Sequence, residues 1–291
     1  MIELDFLHHL DKLSLIINKR ITSDYAGENK SEYTGRGLVF KDYVIYAPGD
    51  DFRGVDWKVY ARSEKLFSKR YEEERNLTVH IIVDFSGSMG FGSGRVKKSD
   101  YASMAALGFI YMAMKNNERF VLSTFSDKLE SFKPKRGRKQ LAIMMDYLNA
   151  KTPQGLSKFE ESLVKYKNLV TTKSFVVIIS DFLYDTEEIK RILHRYRKHE
   201  IRLVQVLDPM ETKLDLDGDY KFKDSETKDV MRTFVSPYLR RTYLQKLDEH
   251  KAKISQACDE VGARFYSFST DYPIFDAFYQ ILQSKYIRTV G

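Results

Sequence analysis

Residues 77–95, "LTVHIIVDFSGSMGFGSGR", decide how the fold is read. The stretch opens as a β-branched apolar run of the kind buried on both faces of a parallel sheet. It stops at an acid, and Asp84, Ser86 and Ser88 then occupy alternate positions in a glycine-rich turn. In extended backbone alternate side chains point the same way, so one carboxylate and two hydroxyls can reach a single point. Gly87 and Gly90 let the backbone bend there.

The pattern recurs downstream. "KSFVVIISDF" (173–182) is a second continuous apolar strand, and it runs into Asp181. A mostly apolar helix is expected over 97–116. "ERFVLSTFS" and "KLESFK", separated only by "SD", read as an antiparallel hairpin. Helices over 137–149, 158–169 and 186–198 follow. A strand over 201–208, a polar insert, a helix over 237–261, a strand over 263–269 and a helix over 273–287 complete the chain. Strands alternating with helices imply an α/β fold: a doubly wound, mostly parallel six-stranded sheet covered on both faces. The common order 3-2-1-4-5-6 sets strands 1 and 4 side by side at the switch point where such sheets bind ligands. Asp84 and Asp181 end those two strands.

The first quarter is different. Leu4, Leu7, Leu10 and Leu13 recur at helical spacing, so an amphipathic helix is expected over 3–19. "GLVFKDYVIY" (37–46) and "EKLFSKRYEEE" (64–74) read as strands flanking a Pro-Gly turn and a short helix with the one tryptophan, Trp57. Residues 1–75 are therefore expected to form a helix-plus-hairpin extension docked on a main domain, 76–291, that carries a hairpin insert at about 209–235. Asp50, Asp51, Arg53, Asp56 and Arg62 are expected to make turn caps and internal ion pairs with Trp57 packed beneath. "DLDGDY" (215–220) reads as a hairpin turn, because Tyr220 stands where a calcium loop needs glycine.

Bulk properties narrow the function. Of 291 residues, 43% are hydrophobic and 31% charged, as in an ordinary globular protein. The lone Cys258 excludes an intramolecular disulfide framework and reads as a packed thiol. "MIELDFLHHLDKL" carries acids and lacks the apolar core of a signal peptide. The longest apolar run, "YASMAALGFIYMAM" (101–114), is shorter than the roughly 20 residues of a membrane span. A cytoplasmic protein with no membrane span is expected. Net charge is +7. Its basic clusters, "KPKRGRKQ" (133–140) and "KRILHRYRKH" (190–199), read as solvated helix faces, the first lacking the aromatics of a base-stacking platform. No nucleic-acid partner is expected.

Two carboxylates and several hydroxyls, with no His or Cys near them, make a hard-oxygen site. That set suits one Mg²⁺ or Mn²⁺ rather than Zn²⁺ or Cu²⁺. As a bare pattern Asp-x-Ser-x-Ser is weak, and capping of the 97–116 helix is the structural alternative. "DFSGSM" (84–89) resembles the metal-ion-dependent adhesion site of von Willebrand factor A domains. In that family the first Asp and two Ser hold a divalent cation. A Thr from the loop before the third helix adds an oxygen, and a strand-four Asp acts mostly through water. The resemblance implies a metal set of Asp84, Ser86, Ser88, Ser157 and Asp181. Ser157, in "TPQGLSKFEESL" (152–163), stands in for the usual Thr.

"GRGLVFKDYVIYAPGDDFRGVDWKVYARSEKLFSKRYEEE" (35–74), together with "DPMET" (208–212) and "KDSET" (223–227), resembles the bacterial family called domain of unknown function 58. That resemblance implies a partner, a MoxR-type AAA+ ATPase or its client, and an adaptor role in protein maturation or complex assembly. The expected function is a non-enzymatic, metal-dependent interaction module whose open coordination position takes a partner's acidic side chain. One rival is a Mg²⁺-dependent phosphatase of the haloacid dehalogenase type, but Ser86 stands where its general acid would be. The other is a nucleic-acid-binding protein, which rests on charge alone.

Overall fold

The computed structural model describes residues 38–47, 50–73 and 78–283. These belong to two compact units, one within 24–76 and one from residue 77 onward. The helix expected over 3–19 and the junction 74–77 lie outside the described residues.

In the first unit, β1 (Leu38–Ile45) pairs antiparallel with β2 (Phe67–Glu73), and α1 (Trp57–Ser63) lies between them in sequence. Asp56 starts α1 by accepting the backbone N–H groups of Lys58 and Val59 at 3.0 and 3.4 Å. The same carboxylate takes the Tyr43 hydroxyl at 2.8 Å and the Lys69 ammonium at 3.0 Å. These partners, Tyr43 first, hold its pKa down at about 2. Asp51 caps the turn Phe52–Gly54 through the Arg53 N–H. The expected caps therefore form, but Trp57 is not packed beneath them. It is 54% exposed, edge-on to Phe52 and Tyr60. A two-turn helix beside a two-stranded hairpin has no second layer, among the described residues of this unit, to cover an indole.

In the second unit β3 (Thr78–Asp84) opens the sheet, and α2 (Lys98–Lys115) leads to the hairpin of β4 (Arg119–Phe125) and β5 (Leu129–Ser131). Then come α3 (Arg138–Ala150), α4 (Phe159–Lys167), β6 (Phe175–Ser180), α5 (Thr186–Tyr196) and β7 (Glu200–Leu207). The insert holds α6 (Pro209–Lys213) and the antiparallel pair β8 (Gly218–Lys223) and β9 (Val230–Val235). Finally α7 (Pro237–Glu260), β10 (Arg264–Ser269) and α8 (Ile274–Gln283) close the described chain.

The six-stranded sheet runs β10-β7-β6-β3-β4-β5, parallel except for β5. Its strands thus take the expected doubly wound order, with β3 beside β6. Both faces are covered, which is why these strands are apolar without alternation. Ile81, Val83 and Ile179 pack with Ala102, Ala105, Ala106 and Leu107 of α2. Ile82, Val176 and Ile178 face the other way, toward Leu163, Tyr166, Ile189, Ile192 and Ile254. His80, buried in β3, sits 2.8 Å from the Tyr166 hydroxyl, and burial lowers its pKa to about 4. Burial pushes the Cys258 thiol up to about 12, as suits a packing residue.

The insert turns later than its sequence suggests. Residues 215–217 lead into β8 through Gly218, and the reversal falls at 224–229. There the Asp224 carboxylate accepts the N–H groups of Glu226 and Thr227 at 2.7 and 2.9 Å, an Asx turn that outcompetes the glycine upstream.

The central sheet yields a direct stability test. Ile179 is fully buried between β3 and α2. Ile179→Ala is expected to lower the unfolding free energy by about 2–5 kcal/mol, read as a shifted urea midpoint with an unchanged slope.

Candidate metal centre

The site starts from strand register. β3 and β6 pair Val83 with Ile179, so the next two residues, Asp84 and Ser180, emerge as neighbours on one side. Ser180 Oγ donates to Asp84 Oδ2 at 2.8 Å. The Tyr184 hydroxyl donates to the same oxygen. Asp84 Oδ1 accepts the Ser86 N–H at 2.8 Å. The carboxylate is wholly buried, at 0% exposure.

Two loops close around it. The chain after Asp84 forms a single 3₁₀ turn, Gly87–Gly90, and leaves Ser86 Oγ and Ser88 Oγ 3.1 Å apart. The loop before α4 is stitched to it. Gln154 N–H donates to the Phe85 carbonyl and Gly87 N–H to the Gly155 carbonyl, both at 2.9 Å. Gly155 has φ +83°, and a Cβ there would meet Asp127 Oδ1 at 3.2 Å, so glycine suits the turn. The stitching brings Ser157 Oγ to 3.4 Å from Asp84 Oδ2 and 2.7 Å from the Tyr184 hydroxyl. Asp84, Ser86, Ser88 and Ser157 are therefore brought together.

Asp181 goes elsewhere. One residue beyond Ser180, it accepts the Lys98 ammonium on Oδ2 at 3.0 Å. Lys98 is 1% exposed and also donates to Glu211 Oε1 at 2.7 Å. Glu211 is fixed by a capping box at the start of α6, where its other oxygen accepts the Asp208 N–H at 2.8 Å. Burial works against the Lys98 charge, but Asp181 and Glu211 together outweigh it and hold its pKa above the usual lysine value. Burial raises the pKa of Glu211 despite Lys98.

Asp84 has no such counter-ion. Among the described residues no ammonium or guanidinium pairs with it. Burial first, and the Asp181 charge second, push its pKa up to about 6, against the hydrogen bonds from Tyr184 and Ser86. Burial and the Asp84 charge push Tyr184 well above its ordinary value, so its hydroxyl stays a donor.

The donor set can be tested against a hard cation. Mg–O bonds of about 2.1 Å put adjacent ligand oxygens of an octahedron about 3 Å apart. The Ser86–Ser88 separation of 3.1 Å fits, and the Asp84–Ser157 separation of 3.4 Å is near it. Among the described residues no three His, Cys, Asp or Glu side chains converge as a metal cluster. The oxygens come from one carboxylate and hydroxyls, a set for Mg²⁺ or Mn²⁺ and not for Zn²⁺.

Ser180, Tyr184, Lys98, Glu211 and Glu226, whose carboxylate accepts the Ser157 N–H, escaped sequence reasoning. Glu211 and Glu226 lie in the "DPMET" and "KDSET" stretches that carry the family resemblance, which gave neither a role, and Ser180 left a signal of its own. Sliding "IISDF" by one residue against "IIVDF" aligns it with Asp84.

Comparison with known proteins adds three findings. The family described as "Protein of unknown function DUF58" matches residues 42–253. Uncharacterized protein Rv1480 of Mycobacterium tuberculosis is 26% identical over 266 residues, covering 90% of this chain and 84% of the relative. Two Bacteroides structures are similar at TM-score 0.45 and 12% identity. One is the conserved hypothetical protein BatB of B. thetaiotaomicron, covering 72% of this chain and 98% of that one. The other, from B. fragilis, is described as an aerotolerance-related membrane protein and covers 72% and 99%. That membrane description runs against the cytoplasmic placement expected from the sequence, which is withdrawn. Among the described residues no helix is long and apolar enough to cross a membrane.

The Asp84 shift sets a pH dependence. Its folded pKa of about 6 lies above the ordinary 3.8. Between these values the folded protein keeps a proton that the unfolded chain releases, so this group's contribution to stability falls as pH rises from about 4 to about 6. In chelator, urea unfolding of the wild type should lose stability across that window relative to Asp84→Asn. Parallel pH profiles for the two proteins would contradict the assignment.

Proposed function

We propose, for a chain that belongs to the DUF58 family of proteins of unknown function, a von Willebrand factor A-like interaction domain that binds partners through one divalent cation. The observation that carries this reading is the wholly buried Asp84 carboxylate, ringed by neutral hydrogen-bond donors and without a counter-ion among the described residues. A buried charge so placed is costly unless a cation joins it.

Asp84, Ser86, Ser88 and Ser157 would hold Mg²⁺ or Mn²⁺. Asp181, engaged by Lys98, would contribute charge at a distance rather than a direct bond. The bound ion would supply a Lewis-acidic position able to take a carboxylate. One anionic ligand against two positive charges leaves the ion favouring an acid over water. The strand order and the adhesion-site resemblance of residues 84–89 support the domain assignment. The family resemblance supports the partner: a MoxR-type AAA+ ATPase or its client, contacted through an acidic side chain. The role is non-enzymatic, an adaptor in protein maturation or complex assembly.

Calorimetric titration with Mn²⁺ tests the site. Heat is expected from the wild type and from Ser157→Thr, and none from Asp84→Ala, whose fold circular dichroism would check. Equal binding by Asp84→Ala would overturn the reading. The cognate ATPase, immobilised, should retain the wild type in Mg²⁺ and release it in EDTA.

A further inference from the structure

The turn of the inserted hairpin reaches the rim of this site. Glu226 Oε2 accepts the Ser157 N–H at 3.1 Å, while its Oε1 makes no hydrogen bond among the described residues. Ser157 is the residue whose hydroxyl approaches Asp84. The turn also lies directly on the Asp84 loop. A Cβ on Gly87 would sit 2.9 Å from the Ser225 carbonyl oxygen and 3.4 Å from Glu226 Cγ, so only glycine lets the turn come so close. The turn holds itself in shape, because Asp224 accepts the N–H groups of Glu226 and Thr227 and its own N–H donates to the Asp229 carbonyl at 2.8 Å. With the 153–158 segment, the two loops wall a cleft of about 440 Å³, lined by Gly87, Phe91, Pro153 and Glu226 among others.

We propose that Glu226 is the site's own acidic ligand, delivered in cis by the β8–β9 hairpin to the coordination position that an outside acid would otherwise take. The inference rests on the metal-dependent reading above and adds to it. With Asp84 alone the ion keeps one uncompensated positive charge, and a second carboxylate neutralises it. The free Oε1 is the atom available for this, while Oε2 stays on the Ser157 N–H. A partner acid must then displace Glu226, so the hairpin sets which acids bind and how tightly.

Glu226→Gln separates this role from simple capping of the Ser157 N–H. The amide oxygen can still accept that hydrogen bond, but the charge is gone. Mn²⁺ alone would be titrated into the full chain, wild type and variant, by calorimetry and by water-proton relaxation of the bound ion. Mn²⁺ affinity is expected to fall by about tenfold or more in Glu226→Gln. Relaxivity per bound ion should rise as water replaces the carboxylate. Added acetate should tighten Mn²⁺ binding in the variant and leave the wild type unchanged. Equal affinity and equal relaxivity in the two proteins would overturn the inference while leaving the metal site standing. Mn²⁺ binding that survives Asp84→Ala, or no binding by the wild type, would remove the site and the inference together.

Discussion

One buried carboxylate organises the functional edge of this protein. Asp84 ends a strand whose two faces are both covered by helices, so no water reaches it from above or below the sheet. The topology opens a crevice only at the carboxyl edge, between β3 and β6, where the chain leaves the two strands in opposite directions. Three segments at that edge then serve the same oxygen atoms. The 85–90 loop returns an N–H, β6 gives the Ser180 hydroxyl, and the chain after it gives Tyr184. The 153–158 segment, stitched on by backbone hydrogen bonds, brings Ser157. All these donors are neutral, which is the chemical signature of the site.

The second acid shows why Asp84 is left without a cationic side chain among the described residues. Lys98, buried at the start of α2, spends its charge on Asp181 and Glu211. That triad ties the first turn of α2 to the end of β6 and to the short helix α6. Buried ion triads of this kind are weak evidence for added stability, so its contribution is better seen as placement. It turns the Asp181 carboxylate away from the Asp84 oxygens and leaves one net negative charge beside them. The result is a site with one wholly buried carboxylate at its floor, a negative background and a row of hydroxyls.

Much of this was legible in the chain, for physical reasons. Apolar runs at 77–83 and 175–179 point to strands buried between two helical layers, and the common doubly wound order then sets strands 1 and 4 side by side. The two-residue "SD" link between apolar stretches was enough for the β4–β5 hairpin. Alternation after Asp84 was enough to gather Ser86 and Ser88. What could not be read was register. "IIVDF" and "IISDF" invite alignment of Asp84 with Asp181, yet the strands are offset so that Ser180 lies beside Asp84. Tyr184 and Glu226 meet the site through contacts 100 and 69 residues long, so neither role could be read locally, although Glu226 lies in the "KDSET" stretch that carries the family resemblance. Trp57 departs from the packing expected of an aromatic because its small unit offers no layer for it among the described residues. The insert's turn is expected within "DLDGDY" (215–220), whereas the Asp224 carboxylate makes the tighter reversal further on.

The central claim is that Asp84 is held for a divalent cation and not merely as a buried hydrogen-bond hub. Anomalous diffraction from crystals of the full chain soaked in Mn²⁺ addresses it most directly. The account expects one strong peak within bonding distance of an Asp84 carboxylate oxygen and of Ser86 Oγ and Ser88 Oγ, with the Tyr184 hydroxyl moved off the carboxylate. Crystals that take up Mn²⁺ elsewhere, or not at all, with Ser180 and Tyr184 still donating to Asp84, would contradict it.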